Sequence, residues 1–241
     1  MTTASPKVGY LTSPLISARH AFFTRHGGVS PEPFGSLNFG GSDDDPENIR
    51  LNRERALTAL GMNPGNVARL NQVHGADVLI GIPGNQTGDA LVTAEKDLVL
   101  AIGAADCYPI LFHDPMNHVI GAAHAGWKGT LARIAKNTIE KMIELGADRS
   151  EIRASIGQGI CRDNYQVSED VIQLFLRAGF PESIHTGRQL DLLAANQFVL
   201  QESGITQERV WSLNRCTTED DFFSYRRDKG KTGRMWAVIS Q

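Results

Sequence analysis

Val119-Ile120-Gly121-Ala122-Ala123-His124-Ala125-Gly126-Trp127-Lys128-Gly129-Thr130 contains the change of rhythm that decides the fold class. Residues 119–123 are a short apolar run with β-branched members, bounded by turn residues, which is a strand signature. From Thr130 the rhythm changes: Ile134, Ile139 and Ile143 recur among helix-forming neighbours as far as Leu145, and Gly146 marks the stop. The stretch therefore predicts a strand end that turns into a helix over residues 130–145.

The same signals extend outward. Strand-like runs precede the stretch at residues 77–82, 90–92, 98–102 and 110–112, follow it at 152–156, and return at 210–213 and 235–239. Asp45-Pro46 reads as an N-cap and first helical residue before an amphipathic run from Ile49 to Leu60, with Gly61 as the stop. Ser168 precedes an apolar run at residues 171–176 with Gly179 behind it. Asp191 caps residues 192–202, where Leu192, Ala195 and Val199 share one face and Gly204 ends the pattern. Residues 27–45, rich in Gly with Pro31 and Pro33, read as a long surface loop of the kind that often carries function. Strands alternate with helices and several strands are adjacent. This predicts an α/β (α+β) architecture of mixed β-sheets flanked by helices, with residues 1–241 as a single unit, because no shift in composition marks a linker.

Composition narrows the function classes. The 241 residues are 41% hydrophobic and 21% charged, with a net charge of -3, so neither nucleic acid nor an anionic membrane is demanded as a partner. No obligate protein partner is evident. No apolar run approaches the roughly 20 residues of a membrane span. Residues 1–10 show no apolar core behind a basic start, so the expectation is a cytoplasmic chain without a signal peptide. The cysteines are Cys107, Cys161 and Cys216, too few and odd in number for a secreted disulfide framework. Reduced thiols are then available as metal ligands or nucleophiles.

Three segments carry the strongest chemical signal: Asn71-Gln72-Val73-His74-Gly75, Ala105-Asp106-Cys107-Tyr108-Pro109, and the stretch from Ala123 to Thr130. Each puts one good metal ligand at the edge of regular structure. Brought together, His74, Cys107 and His124 form a His₂Cys set that zinc accepts, with the fourth tetrahedral position open. Zinc in such a site lowers the pKa of a bound water from about 15.7 toward about 7. No C-x-x-C or H-E-x-x-H spacing defines zinc independently. Two other readings of the same residues stay open: a buried structural cysteine with two ordinary polar histidines, and a Cys107–His124 nucleophile pair. The flanking glycines favour function, because small residues let a ligand approach the backbone.

Basic residues supply candidates for substrate binding. The turn from Gly126 to Thr130 opens a helix, where N–H groups and Lys128 could hold an anion, or it is an ordinary first turn. Arg25, Arg226 and Arg227 lie beside aromatic residues, an arrangement suited to stacking on a base or gripping phosphate, or they form a solvated rim. Gln72, two residues before His74, joins them. The serine-hydrolase elbow, the G-x-x-x-x-G-K-[ST] phosphate loop and the zinc nucleobase-deaminase signature are all missing.

Taken in order, these motifs resemble the YfiH family, also called the multicopper polyphenol oxidase or laccase-domain family. The resemblance runs from Thr24-Arg25-His26-Gly27-Gly28 and Leu37-Asn38 through the three segments above and Cys216-Thr217, to Phe223-Ser224-Tyr225-Arg226-Arg227 and Thr232-Gly233-Arg234. Gly157-Gln158-Gly159-Ile160 departs from the family's usual Gly-Pro pair. The resemblance implies a compact α/β fold similar to toxin deamidases that use a Cys–His pair. It implies zinc on His74, Cys107 and His124. It further implies phosphorolysis of the purine nucleosides adenosine, inosine and methylthioadenosine, with deamination of adenosine beside it.

In that chemistry Asp106 is the candidate proton shuttle, since the usual glutamate is absent, and Arg25, Lys128 or the Arg226–Arg227 pair would hold phosphate. The laccase label fits less well. A multicopper centre needs paired histidines, and none of the seven here forms an H-x-H pair, although the His₂Cys set could hold one copper in vitro. Two further expectations compete with the phosphorylase: an amide hydrolase that removes L-Ser from UDP-muramoyl peptidoglycan precursors, and a non-enzymatic metal or nucleotide binder.

Overall fold

Two sheets are stacked face to face, and helices cover the outer face of each. The computed structural model describes residues 7–41 and 43–241. Part of the reading at residues 1–10, and Ser42 in the long loop, therefore lie outside the described residues. In chain order the strands are β1 (Tyr10–Leu11), β2 (Arg19–Phe23), β3 (Val67–Asn71), β4 (Val78–Ile80), β5 (Gly84–Thr87), β6 (Ala90–Thr93) and β7 (Val99–Ala104). They continue as β8 (Tyr108–Asp114), β9 (Val119–Ala125), β10 (Arg153–Ile156), β11 (His185–Thr186), β12 (Gln189–Leu190), β13 (Val210–Ser212) and β14 (Met235–Ser240). The helices are α1 (Pro46–Ala59), α2 (Trp127–Leu131), α3 (Ile134–Glu144), α4 (Glu169–Arg177) and α5 (Leu192–Glu202).

The first sheet has the order β1-β2-β14-β7-β3-β5 and the second β13-β10-β8-β9-β6-β4; both mix parallel and antiparallel pairs. β11 and β12 pair separately. Side-chain alternation sorts the layers. On β7, Val99 and Ala101 face α1 while Leu100 and Ile102 enter the space between the sheets. β14 repeats this, with Trp236 and Val238 toward α1 and Ala237 and Ile239 inward. On β9, Ile120 and Ala122 face the first sheet, and Val119 and Ala123 face the layer of α3, α4 and α5. Strands buried on both faces read as unbroken apolar runs, which is why the central strands are visible in the sequence.

The N-caps of α1 and α5 and the stops of α1, α4 and α5 follow the sequence signals. The Asp45 carboxylate accepts from the Glu47 N–H at 2.8 Å with Pro46 at the first helical position, and Asp191 accepts from the Ala194 N–H at 2.8 Å. Gly61, Gly179 and Gly204 all take positive φ at the helix stops.

The helix expected over residues 130–145 is corrected. It starts earlier, at Trp127 with Gly126 as N-cap, and it breaks at Arg133, whose φ of 62° leaves the right-handed region. Tertiary partners hold that conformation: Arg133 pairs with Glu202 at 2.8 Å, donates to the Ala178 carbonyl at 3.0 Å, and lies 3.9 Å above the Phe180 ring. Strands β1, β2, β3, β5, β11 and β12 carried no signal in the sequence reading. No helix among the described residues is long and apolar enough to cross a membrane.

Candidate metal centre and its cavity

The loops that leave β3 and β7 and the last residues of β9 meet at one end of the two sheets, and each brings one candidate ligand. His74 stands in the turn after β3 with φ of 59°. Asp89, fully buried just before β6, sets this turn: its carboxylate accepts from the Val73, His74 and Gly75 N–H groups at 3.2, 3.0 and 2.7 Å. The same carboxylate accepts from His124 Nδ1 at 2.9 Å, and the Asp89 carbonyl accepts the His124 N–H at 2.8 Å. One acidic residue therefore fixes two ligands. Its hydrogen bond assigns the proton to Nδ1 of His124 and leaves Nε2 as the nitrogen whose lone pair can bind a metal. Burial alone would raise the Asp89 pKa; the His124 imidazole and the backbone N–H groups outweigh it and hold it below the usual carboxylate value.

Cys107 lies between β7 and β8, opposite His124 through the register that pairs Pro109 with His124. The ligand atoms of His74, Cys107 and His124 all lie within 4.8 Å of one another, and the two imidazoles meet edge to face at 4.9 Å between centroids. Tetrahedral zinc holds such atoms roughly 3.4–3.8 Å apart, so small side-chain motions close the set around an ion. Gly126 makes room for it, since a Cβ there would sit 2.8 Å from Cys107 Sγ and 3.4 Å from the His74 ring. Burial raises the Cys107 pKa and lowers that of His124. Their mutual attraction reverses both, so the thiol is held below its ordinary value and the imidazole above. Nothing in this donor set conflicts with a metal. Soft thiolate and two imidazoles suit zinc, and copper as well.

A cavity of about 950 Å³ opens from the cluster and runs over the α1-facing side of β3, β7 and β14. The sequence-derived candidates are distributed unevenly around it. Asp106, Gln72 and Arg226 line it together with the three ligands. Gln72 uses both ends of its amide on Gly103, donating to the carbonyl at 2.8 Å and accepting the N–H at 2.9 Å, so it ties β3 to β7. Asp106 accepts from the Thr217 hydroxyl at 2.6 Å and from the Arg226 N–H at 2.8 Å. The Arg226 guanidinium lies 5.3 Å from the Tyr165 ring and donates to the Gln166 carbonyl at 3.0 Å.

Arg25, Lys128 and Arg227 are not on the cavity wall. Arg25 donates to the Gly35 carbonyl at 2.7 Å and stacks on Phe223; Lys128 lies over Trp127; Arg227 pairs with Asp228 at 2.7 Å. Arg53, Arg69, Arg234, Tyr165, Tyr225 and Trp236 line the cavity without having been singled out as binding residues. Tyr225 and Arg234 fall within the motifs at residues 223–227 and 232–234; the others are placed there by the fold alone.

The fold and site define a class: a double-sheet α/β protein in which two loops and a strand end bring one His₂Cys cluster to a cation-lined cavity. The chain belongs to the YfiH family, described as multi-copper polyphenol oxidoreductase laccase, which matches residues 19–241. It is 50% identical over 239 residues to a protein of Deinococcus radiodurans named purine nucleoside phosphorylase, covering 98% of this chain and 94% of that one. It is 39% identical to purine nucleoside phosphorylase ORF3 of Streptomyces griseus, covering 96% and 98% of the two chains. The crystal structure of YlmD from Geobacillus stearothermophilus matches with a TM-score of 0.89 at 33% identity, over 97% of this chain and 96% of that one. That of the Bacillus licheniformis hypothetical protein YfiH matches at 0.86 and 31%, over 92% and 91%.

Proposed function

We propose that the protein is a zinc-dependent purine nucleoside phosphorylase that acts on adenosine, inosine and methylthioadenosine, with deamination of adenosine as a side activity. The observation that carries this reading is the joining of two features: a three-donor cluster with an open side, and a cavity large enough for a nucleoside leading from it. The names of the relatives support it. Among the described residues the cluster is the one group of three or more His, Cys, Asp or Glu fit to hold a metal, which speaks against a multicopper centre.

His74, Cys107 and His124 would hold the ion. When bound, zinc supplies Lewis-acid polarisation of an oxygen or nitrogen at the reacting end of the cavity. The chain's residues supply the rest. Asp89 orients two ligands and remains hydrogen-bonded away from the substrate. Asp106, anchored at both oxygens, would carry a proton to or from the purine on the cavity side of Cys107, with its orientation fixed in advance. Aromatic walls at Tyr165, Tyr225 and Trp236 offer faces for a planar base. In phosphorolysis the C1′–N bond of the nucleoside breaks, phosphate oxygen bonds to C1′, and the purine leaves with a proton. A cytoplasmic location, where the three free thiols stay reduced, fits this reading.

A second reading rests on a different aspect of the same residues. Cys107, His124 and Asp89 stand in the order nucleophile, base and orienting carboxylate, with the His124–Asp89 bond at 2.9 Å. That arrangement supports the amide hydrolase acting on a UDP-muramoyl-serine precursor. Incubation of metal-analysed protein with adenosine, with and without phosphate, tests the first reading. Phosphate-dependent adenine release supports it. Serine release from the muramoyl substrate by metal-free protein, with no nucleoside turnover, supports the second.

A further inference from the structure

Most arginines of this chain have a partner carboxylate or carbonyl that accounts for their charge. Four that line the cavity, Arg53, Arg69, Arg226 and Arg234, make no ion pair among the described residues; the Arg226 guanidinium is turned to the Gln166 carbonyl and the Tyr165 ring, which leaves Arg53, Arg69 and Arg234. The acids nearest in sequence to Arg53 are already committed, since Glu47 and Glu54 both bind Arg50, at 2.7 and 2.8 Å. Arg53 donates Nε and Nη2 to the Phe39 carbonyl at 3.0 and 2.7 Å and lies 5.1 Å from the Trp236 ring, which leaves Nη1 without a partner. Arg234 uses only Nη1, on the Thr232 and Gly233 carbonyls at 3.1 and 2.9 Å. The guanidinium of Arg69, on β3, has no hydrogen-bond or ion-pair partner among the described residues, and its charge acts on Arg53. Burial and, after it, the Arg69 charge pull the Arg53 pKa down to about 10. Asp106 attracts Arg234 from a distance, but its two oxygens are engaged by Thr217 and the Arg226 N–H.

Backbone shape completes the arrangement. Gly40 and Gly41 form a turn with φ of 128° and 66° between the guanidiniums. A Cβ on Gly40 would lie 2.9 Å from Arg53 Nη2, and one on Gly41 would lie 3.1 Å from Arg234 Cγ. Side chains at these two positions would fill the space that separates the charges. Arg53 and Arg69 repel each other, Asp106 is the one acid on the cavity wall, and a compact dianion would relieve that repulsion while its oxygens satisfy the open N–H groups of the three guanidiniums.

We propose that Arg53, Arg69 and Arg234 form a phosphate-dianion subsite at the α1 end of the cavity, separate from the His74–Cys107–His124 cluster. As the place of the phosphate used in the reaction, the proposal rests on the phosphorylase reading above. The phosphate could be free orthophosphate or a phosphomonoester carried on the nucleoside, and both present the same dianion.

Zinc-loaded full-length protein is titrated calorimetrically with inorganic phosphate and with AMP, and the steady-state KM values for phosphate and adenosine are measured alongside. Arg69→Gln is the main variant because the Arg69 guanidinium makes no structural hydrogen bond; Arg69→Lys is the rescue variant, and Arg50→Gln is the charge control. The subsite predicts that Arg69→Gln weakens phosphate binding about 10- to 100-fold. It raises the phosphate KM in parallel and leaves the adenosine KM, zinc content and melting temperature near wild type. Arg69→Lys recovers part of the loss, and Arg50→Gln binds as wild type does. Phosphate binding that adds to adenosine binding identifies the free ion as occupant; AMP that binds tighter than adenosine and displaces phosphate identifies the monoester. Both outcomes support the subsite. Phosphate or AMP binding to wild type that is lost in Arg69→Gln, with no phosphorolysis in either, keeps the subsite and removes the phosphorylase reading. The proposal is overturned if phosphate affinity is unchanged in Arg69→Gln, if wild type binds neither phosphate nor AMP, or if Lys128→Gln takes the affinity away instead.

Discussion

Asp89 carries more of the site's geometry than any ligand does. Its side chain accepts from three consecutive N–H groups around His74 and from His124 Nδ1. An amide in its place keeps the shape but turns one acceptor into a donor, so two of those four partners lose their bond, either His74 and His124 on Oδ1 or Val73 and Gly75 on Oδ2. Asp89→Asn is expected to weaken zinc binding about 10- to 100-fold, read by competition with a chromogenic chelator; unchanged affinity would contradict the positioning role. His113 makes a separate, pH-dependent prediction. It is buried on β8 with Nδ1 unpartnered, and burial, aided by nearby Arg153, His20 and His118 and opposed by Asp114, pushes its pKa down to about 4. The unfolded chain binds this proton at a pKa of about 6.5. The neutral ring's contribution is therefore complete above that pH and is lost as pH falls toward 4. Removing the titration in His113→Phe should flatten the decline of stability over this window by on the order of 3 kcal/mol. His20, also shifted down, titrates in both proteins, and only its minor repulsion with His113 differs between them. Parallel stability curves for the two proteins would contradict this.

At the scale of elements, β9 and α3 show what the sequence does and does not reveal. The run at residues 119–123 is legible because both faces of β9 are buried, and His124 and Gly126 follow from its end. The helix break at Arg133 is not legible, because the partners that hold it in left-handed backbone come from Glu202, Ala178 and Phe180, far along the chain. β5 reads Gly-Asn-Gln-Thr, with no apolar signal, and exists through parallel pairing with β3. The close approach of α3 to β9 depends on Gly121, where a Cβ would stand 3.1 Å from Met142 Sδ and 3.2 Å from Thr138 Cγ2. Gly121→Val is expected to push the helix away from the sheet at a cost of about 1–3 kcal/mol, measured by urea denaturation. A variant as stable as wild type would show that this packing is looser than described.

Across the whole molecule, the metal ligands and the cationic wall differ in how they are assembled. His74, Cys107 and His124 each sit in a glycine- or turn-flanked motif at a strand end, and such motifs can be read one at a time. Arg53, Arg69 and Arg234 come from α1, β3 and the turn before β14, and only the strand order β14-β7-β3 brings them to one cavity. Arg25, Lys128 and Arg227 have the right residue type beside the right motifs, yet their side chains are spent on Gly35 and Phe223, on Trp127 and on Asp228. In the proposed function the cluster and the cavity act together on a nucleoside and phosphate. The most direct test is the amount of adenine released from adenosine by metal-analysed wild type and Cys107→Ala, each with and without phosphate. Phosphate-dependent adenine release by the wild type is expected, with loss of both zinc and turnover in Cys107→Ala. Full turnover by a zinc-free Cys107→Ala, or no adenine from a fully zinc-loaded wild type, would contradict it.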